Sequence, residues 1–340
     1  MKLPAINLIF FKVIAMNVKK NIFKKGKMSD INYCSILSKE AEEPLAGTAP
    51  FARHFIFITW PKKFWQYEAL DSKGGFPEGL KNWMKINSEI NGKISIRLVS
   101  TPGLSYDKVQ IFIYPGKYQY TNILPNEINA VLESYFQNGV SEAFSPTKII
   151  DDQIFVCTHG RHDKCCAKFG KELVDELRYH ILNKKMPIQI WDSSHLGGHR
   201  FAATCIDFPA GHAYGRISRG EVPNFLAKRK TNQIYGAAYR GSVFLSGIEQ
   251  VAEAHAKRFA FLKNWDCNHK IMKLERLSEK TFTCLIYFGS NDNSFNSEKS
   301  INDKMIFNFR LKSFKNPSGC DDLENQKIRS VWDIESTEYF

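Results

Sequence analysis

The chain has 340 residues, 43% of them hydrophobic and 24% charged, which is enough apolar material for a substantial core and too much for a disordered chain. Its net charge of +12 is concentrated at one end, because residues 1–27 hold seven Lys and no acid, and without them the body carries +5. Eight Cys are too sparse for a disulfide scaffold; no run of eighteen uninterrupted apolar residues suggests a membrane span; and a surface rich in Lys, without an Arg-and-aromatic stripe, argues against nucleic acid as a partner.

Residues 1–27 form a basic N-terminal extension. Lys12 interrupts its apolar run and no small-x-small cleavage site follows Ala15, so it does not read as a secretory signal. The expected reading is an upstream mis-start, with the chain proper beginning at Met28. The adjacent thiols of Cys165 and Cys166 would be a liability in an oxidising compartment, so the expected location is the cytoplasm.

From there the pattern is α/β. His54–Trp60 reads as a buried strand ended by Pro61, and a helix is expected from about Pro77 to Asn91. Alternation at Ile94, Ile96 and Leu98, and again at Val109, Ile111 and Ile113, predicts two strands before a helix near Glu127–Gln137. The next segment begins the same way, with a strand over Gln153–Val156 and a helix carrying Leu173, Leu177 and Ile181. Strands are expected at Ile188–Trp191, Phe201–Phe208 and Tyr214–Ile217, and helices from Pro223 to about Tyr235 and over Gly247–Trp265. Three β-rich segments, 269–275, 281–288 and 305–312, close the chain around a polar stretch, with no site expected among them.

The chemistry gathers in two places. Cys157-Thr-His-Gly-Arg-His-Asp-Lys-Cys165-Cys166 packs two His and three Cys into ten residues, and Asp192-Ser-Ser-His195-Leu-Gly-Gly-His199-Arg200 sets two His four apart around a glycine pair. Each follows a predicted strand, where α/β sheets build their sites. Thiolate and imidazole together suit iron or zinc better than calcium or magnesium. A phosphatase loop would need Arg at position 163, which is Asp, and a thioredoxin-type Cys-x-x-Cys is absent. A zinc centre remains open, as does a metal-free thiol–disulfide oxidoreductase using Cys157 with Cys165 or Cys166. Cys205 reads as buried and inert, while Cys34, Cys267, Cys284 and Cys320 have no ligand spacing.

The stretches CTHGRHDKCCAKFGKEL and SSHLGGHRFAATCIDFPAGHAYGRI resemble the sucrase/ferredoxin-like family of thioredoxin-fold iron–sulfur proteins. Cys34-Ser-Ile, Glu43-Pro-Leu-Ala-Gly-Thr-Ala49, Tyr239-Arg-Gly241 and Gln250-Val-Ala-Glu253 resemble its flanking motifs. The resemblance implies two tandem thioredoxin-like domains, a degenerate one over 28–147 and a cluster-bearing one over 148–265, followed by a β-rich extension over 266–340. It also implies a 2Fe–2S cluster held by Cys157, Cys166, His195 and His199, with Cys165 as the alternative to Cys166. His162 stands where relatives commonly carry Arg and is a candidate competing ligand. The implied role is electron transfer or redox sensing with a redox partner protein, rather than an enzyme with its own substrate.

Overall fold

The computed structural model describes residues 33–104, 107–139, 144–262, 269–278, 281–289 and 301–339, and the N-terminal extension lies outside them. The chain opens with a short helix, α1 (Cys34–Glu40), and strand β1 (His54–Thr59) follows. Next come α2 (Leu80–Asn91), β2 (Ile94–Ser100), β3 (Val109–Tyr114), β4 (Tyr118–Ile123) and α3 (Ile128–Asn138). After the two-residue β5 (Thr147–Lys148) come β6 (Asp152–Cys157), α4 (Lys164–Asn183), β7 (Ile188–Ser193), β8 (Cys205–Phe208) and β9 (His212–Tyr214). Helix α5 (Val222–Lys230), β10 (Tyr239–Ser242) and α6 (Gly247–Leu262) complete this part.

One strand pattern occurs twice. β1 pairs parallel with β2 and antiparallel with β3, which pairs antiparallel with β4; β6, β7, β8 and β9 repeat those relations in the same order. The expected two tandem domains are nevertheless continuous. Val99 and Ser100 of β2 pair antiparallel with Ser193 and Asp192 of β7, joining both halves into one sheet of order β10-β9-β8-β6-β7-β2-β1-β3-β4-β5.

Alternation along the strands sorts the core. On β1, Ile56 and Ile58 face a cluster with Leu80, Trp83 and Val131 of α2 and α3, while on β6, Ile154 and Val156 face Leu173 and Leu177 of α4. The opposite residues, Phe55 and Phe57 of β1 and Phe155 of β6, meet in a third cluster with Phe112, Trp191 and Phe208. Phe57 and Phe155 stack at 3.7 Å although two strands separate β1 from β6 in sheet order, so the twisted sheet curls around this shared aromatic core.

The tail forms its own sheet of four antiparallel strands, β11 (His269–Arg276), β12 (Thr281–Gly289), β13 (Ile301–Pro317) and β14 (Gln326–Tyr339). Three of these were expected and the last was not. Phe307 and Phe309 of β13 pack on Ile248, Val251, Ala252 and Ala256 of α6. The turn between β13 and β14 carries Cys320, which is buried.

Candidate metal centre

Cys157 ends β6, and its neighbour β7 ends at Ser193, so both chemistry-bearing loops leave the sheet side by side at the C-terminal ends of a parallel pair. Helix α4 begins between them. Asp163 is its N-cap: one carboxylate oxygen accepts the Cys165 N–H at 2.7 Å, satisfying a donor that the helix itself cannot. The helix can approach Cys157 because residue 170 is glycine. A Cβ there would stand 1.9 Å from the Cys157 carbonyl oxygen.

Cys165 and Cys166 occupy successive positions in the first turn of α4, so their side chains diverge. Cys166 turns to Cys157 and His195, whose donor atoms lie within 4.8 Å of one another. The His195 Nδ1 is 3.8 Å from each of the two sulfurs. Cys165 turns the other way, to Cys34 and Cys320. All three of these thiols are free, as is Cys166, so the vicinal pair is not a disulfide.

His199 stands apart from the first group of donors. Its Nδ1 is 2.9 Å from Asp163 Oδ2, and its ring centroid is 5.5 Å from that of His195. A carboxylate that accepts a hydrogen bond from Nδ1–H favours that tautomer and leaves the Nε2 lone pair free to ligate, the usual arrangement of a ligating histidine. His162 stacks on His195 with centroids 3.6 Å apart. His159, deeply buried, accepts the His195 backbone N–H at its Nδ1, and its Nε2 has no hydrogen-bond partner.

The electrostatics of the Cys157–Cys166–His195 group favour a thiolate at Cys157. Burial opposes ionisation of Cys157, yet hydrogen bonds from Cys166 and His195 outweigh it and hold the thiol well below its ordinary range. Cys166, the hydrogen-bond partner of that sulfur, is pushed up in return, and burial adds to the rise. Burial drives His159 down to about 4, so its ring is neutral at pH 7. Asp163 is held below the usual carboxylate range: burial acts against this, but His199 and two backbone N–H groups prevail.

The flanking motifs are the frame of this site. Arg240, deeply buried, donates to the Gly197 carbonyl at 3.1 Å, to the Thr48 hydroxyl at 3.1 Å and to the Thr48 carbonyl, tying the His loop to the Glu43–Ala49 segment. A Cβ on Gly198, which has φ +78°, would meet the Arg240 guanidinium at 2.5 Å. Arg200 pairs at 2.7 Å with the buried Glu43, whose other oxygen accepts from Ser38 and from Asn316 of β13. Gln250 of α6 bridges the Ala49 N–H and the carbonyls of Ala49, Ser242 and Leu245. Ser194 fastens the same loop to the other half-sheet by exchanging two hydrogen bonds with Leu98. His212 is bonded to Lys257 instead.

Two corrections follow for the scattered cysteines. Cys34 and Cys320 are not isolated thiols, and the tail is not remote from the chemistry, because both residues converge on Cys165 and Asp163. The family motif around Cys34 was the one available signal for the first of them. Cys320 had none. Cys205 is buried on β8, as expected, and burial raises its thiol; the side chains of Cys267 and Cys284 lie outside the described residues.

Among known proteins, two yeast relatives share a short region with this chain, both called "Altered inheritance of mitochondria protein 32". The Debaryomyces hansenii protein is 29% identical over 106 residues, and the Clavispora lusitaniae protein 26% over 102. The matches take in 29% of this chain and only 39% and 37% of those relatives' lengths. Solved structures of a thioredoxin-like [2Fe-2S] ferredoxin from Aquifex aeolicus align at 17% identity and a TM-score of 0.25, covering 26% of this chain and 89% of that one. Its Cys55Ser variant aligns at 18%, also with a TM-score of 0.25, covering 26% and 96%. The profile described as sucrase/ferredoxin-like matches residues 45–241, from the Thr48 segment that holds the His loop to the Arg240 clamp. Over more than half of its length, this chain is a member of the sucrase/ferredoxin-like family.

Proposed function

We propose that the chain is a redox protein that holds a 2Fe–2S cluster through Cys157, Cys166, His195 and His199 and exchanges single electrons with a partner protein, or reports redox state to it. The observation that carries this reading is the convergence of Cys157, Cys166 and His195 within 4.8 Å, in a chain of this family. The donor set fits the group: two thiols, one of them poised as thiolate, face imidazoles across a loop made pliable by Gly197 and Gly198. When bound, the cluster supplies a one-electron couple whose potential lies above that of an all-thiolate cluster, because neutral imidazoles replace two thiolates.

The chain's own residues do the rest. Asp163 orients His199 through Nδ1, and the His159 ring receives the His195 N–H and so holds that end of the loop. The thiols are buried whereas His195 and His199 are partly open, so the imidazole edge is where a redox partner approaches. Among the described residues no helix is long and apolar enough to cross a membrane. We assign the chain to a reducing compartment on account of its free thiols; fractionation between cytosol and mitochondria, the organelle in its relatives' name, checks this.

The spacing of Cys157, Cys166 and His195 also favours a second reading, a single zinc ion in the same residues, since a two-iron core needs the His loop to stand further from the sulfurs. Iron, acid-labile sulfide and zinc per chain, with the visible spectrum, on anaerobically purified protein separate the two. The cluster reading expects brown protein with about two irons and two sulfides, lost in His195→Ala and His199→Ala. Zinc that leaves with those substitutions supports the second reading. A metal-free protein with a reducible Cys157–Cys166 disulfide overturns both and points to thiol–disulfide exchange.

A further inference from the structure

We infer that Cys34, Cys165 and Cys320 form a second metal site, separate from the Cys157–Cys166–His195 group, and that it takes zinc with the Asp163 carboxylate as fourth ligand. The three sulfurs form a closed triangle: 3.5 Å from Cys34 to Cys165, 3.2 Å from Cys165 to Cys320 and 3.7 Å from Cys320 to Cys34. Thiolates sharing one tetrahedral zinc, at bonds of ~2.3 Å, stand ~3.8 Å apart. A small expansion of this triangle therefore seats the ion. Disulfide geometry, with sulfurs ~2.05 Å apart, would require closing one edge and stranding the third thiol.

The surroundings are those of a built site. Cys34 and Cys165 are fully buried, Cys320 and Asp163 nearly so, and Tyr33, Phe169, Ala202 and Leu323 enclose the sulfurs. Both Asp163 oxygens lie 4.0 Å from the Cys34 sulfur. An ionised carboxylate offers about four lone-pair positions. Three are engaged: Oδ1 accepts from Cys165 N–H, and Oδ2 accepts from Cys320 N–H and His199. The remaining position on Oδ1, which accepts from the Cys34 thiol at 4.0 Å, is released when that sulfur ionises to bind the ion, and it then completes a tetrahedral set of three sulfurs and one oxygen. That mixture suits zinc better than copper(I), which selects soft sulfur donors alone.

The donors come from three places, helix α1, the first turn of α4 and the β13–β14 turn. An ion here would staple the beginning and end of the described chain to the helix that bears Cys166. A Cβ on Gly319 would come within 3.2 Å of the His199 ring and 3.3 Å of Asp163, so the tail turn is seated closely over both groups.

The test uses the full chain, purified under reducing conditions, equilibrated with zinc, and alkylated with and without a chelator before peptide mapping. One zinc equivalent is expected to protect Cys34, Cys165 and Cys320 together, and the chelator to abolish that protection. Cys320→Ser and Cys34→Ser should each lose this equivalent, whereas His195→Ala retains it and loses only what the first group holds. Zinc that disappears with His195→Ala but survives Cys320→Ser overturns the assignment. So does protection confined to Cys157 and Cys166, or a chain that binds no zinc and carries a disulfide among the three. Because the wild-type mapping needs no substitution, a variant that misfolds does not obscure the answer, and iron and sulfide report on the first group separately.

Discussion

A hydrogen in place of a methyl group decides how near helix α4 comes to the strand beneath it. Gly170 lies against the Cys157 carbonyl, and Gly170→Ala must push the helix, and with it Cys165 and Cys166, away from β6. Overpacking of this kind costs about 1–3 kcal/mol. A lowered Tm in calorimetry is expected, together with weaker metal retention than in a surface variant of equal stability. Asp192, buried beside the site, is ion-paired to Lys62 and Arg178, both at 2.9 Å. Burial alone would raise its pKa, but the two cations and Thr158 lower it. A carboxylate depressed in the folded state stabilises above its unfolded value of ~3.9 and loses that contribution as pH falls through the lower folded value. Asp192→Asn should therefore be less stable than wild type at neutral pH. In urea unfolding across a pH series, the two curves should converge as acid removes the wild-type advantage. Two short, unusual strings marked where the chemistry gathers, and the family resemblance they carry implied Cys157, Cys166, His195 and His199, with Cys165 as the alternative to Cys166. The sequence could not point to Cys320, since no local pattern marks a residue whose sulfur meets a backbone N–H 286 positions away.

At the level of elements, hydrophobic alternation was a good guide on β2 and β3, and the short apolar runs marked the buried strands β1 and β6. Both signals failed at β4, whose half-exposed Tyr-Gln-Tyr-Thr-Asn-Ile is too polar to register, and at β14, where charged residues face outward along most of the strand. Phe201–Phe208 reads as one strand, but the chain breaks it: His199–Phe201 is a 3-10 turn, and pairing begins only at Cys205. That turn is what swings His199 away from His195 toward Asp163. The tail sheet, for which no role was expected, covers the apolar face of α6. A chain cut after residue 268 leaves Ile248, Val251 and Ala252 without Phe307 and Phe309. It should show a lower Tm and bind more hydrophobic dye than the full chain, and α6 also carries the Gln250 and Glu253 contacts that brace β10.

Over the whole molecule, one strand pattern is used twice for unlike purposes. The second copy presents every residue of the Cys157–Cys166–His195 group. The first presents none, yet Leu98 of β2 receives the loop that carries His195. Family motifs scattered over some two hundred residues make sense in that light, since Thr48, Leu98, Gly197 and Arg240 are remote in sequence and adjacent around one loop. The same junction bears on the chain's solubility at high concentration. Joining β2 to β7 through Val99 and Ser100 with Ser193 and Asp192 occupies one end of each of the two strand edges that separate half-sheets would leave open to pairing. The outer borders of this ten-stranded sheet are a two-residue strand bearing Lys148 at one end and, at the other, β10, packed by α6 and with a register shift between Tyr239 and Gly241. Short, charged or covered borders of this sort resist strand addition by a neighbouring chain, so in this sheet the arrangement works against edge-to-edge aggregation.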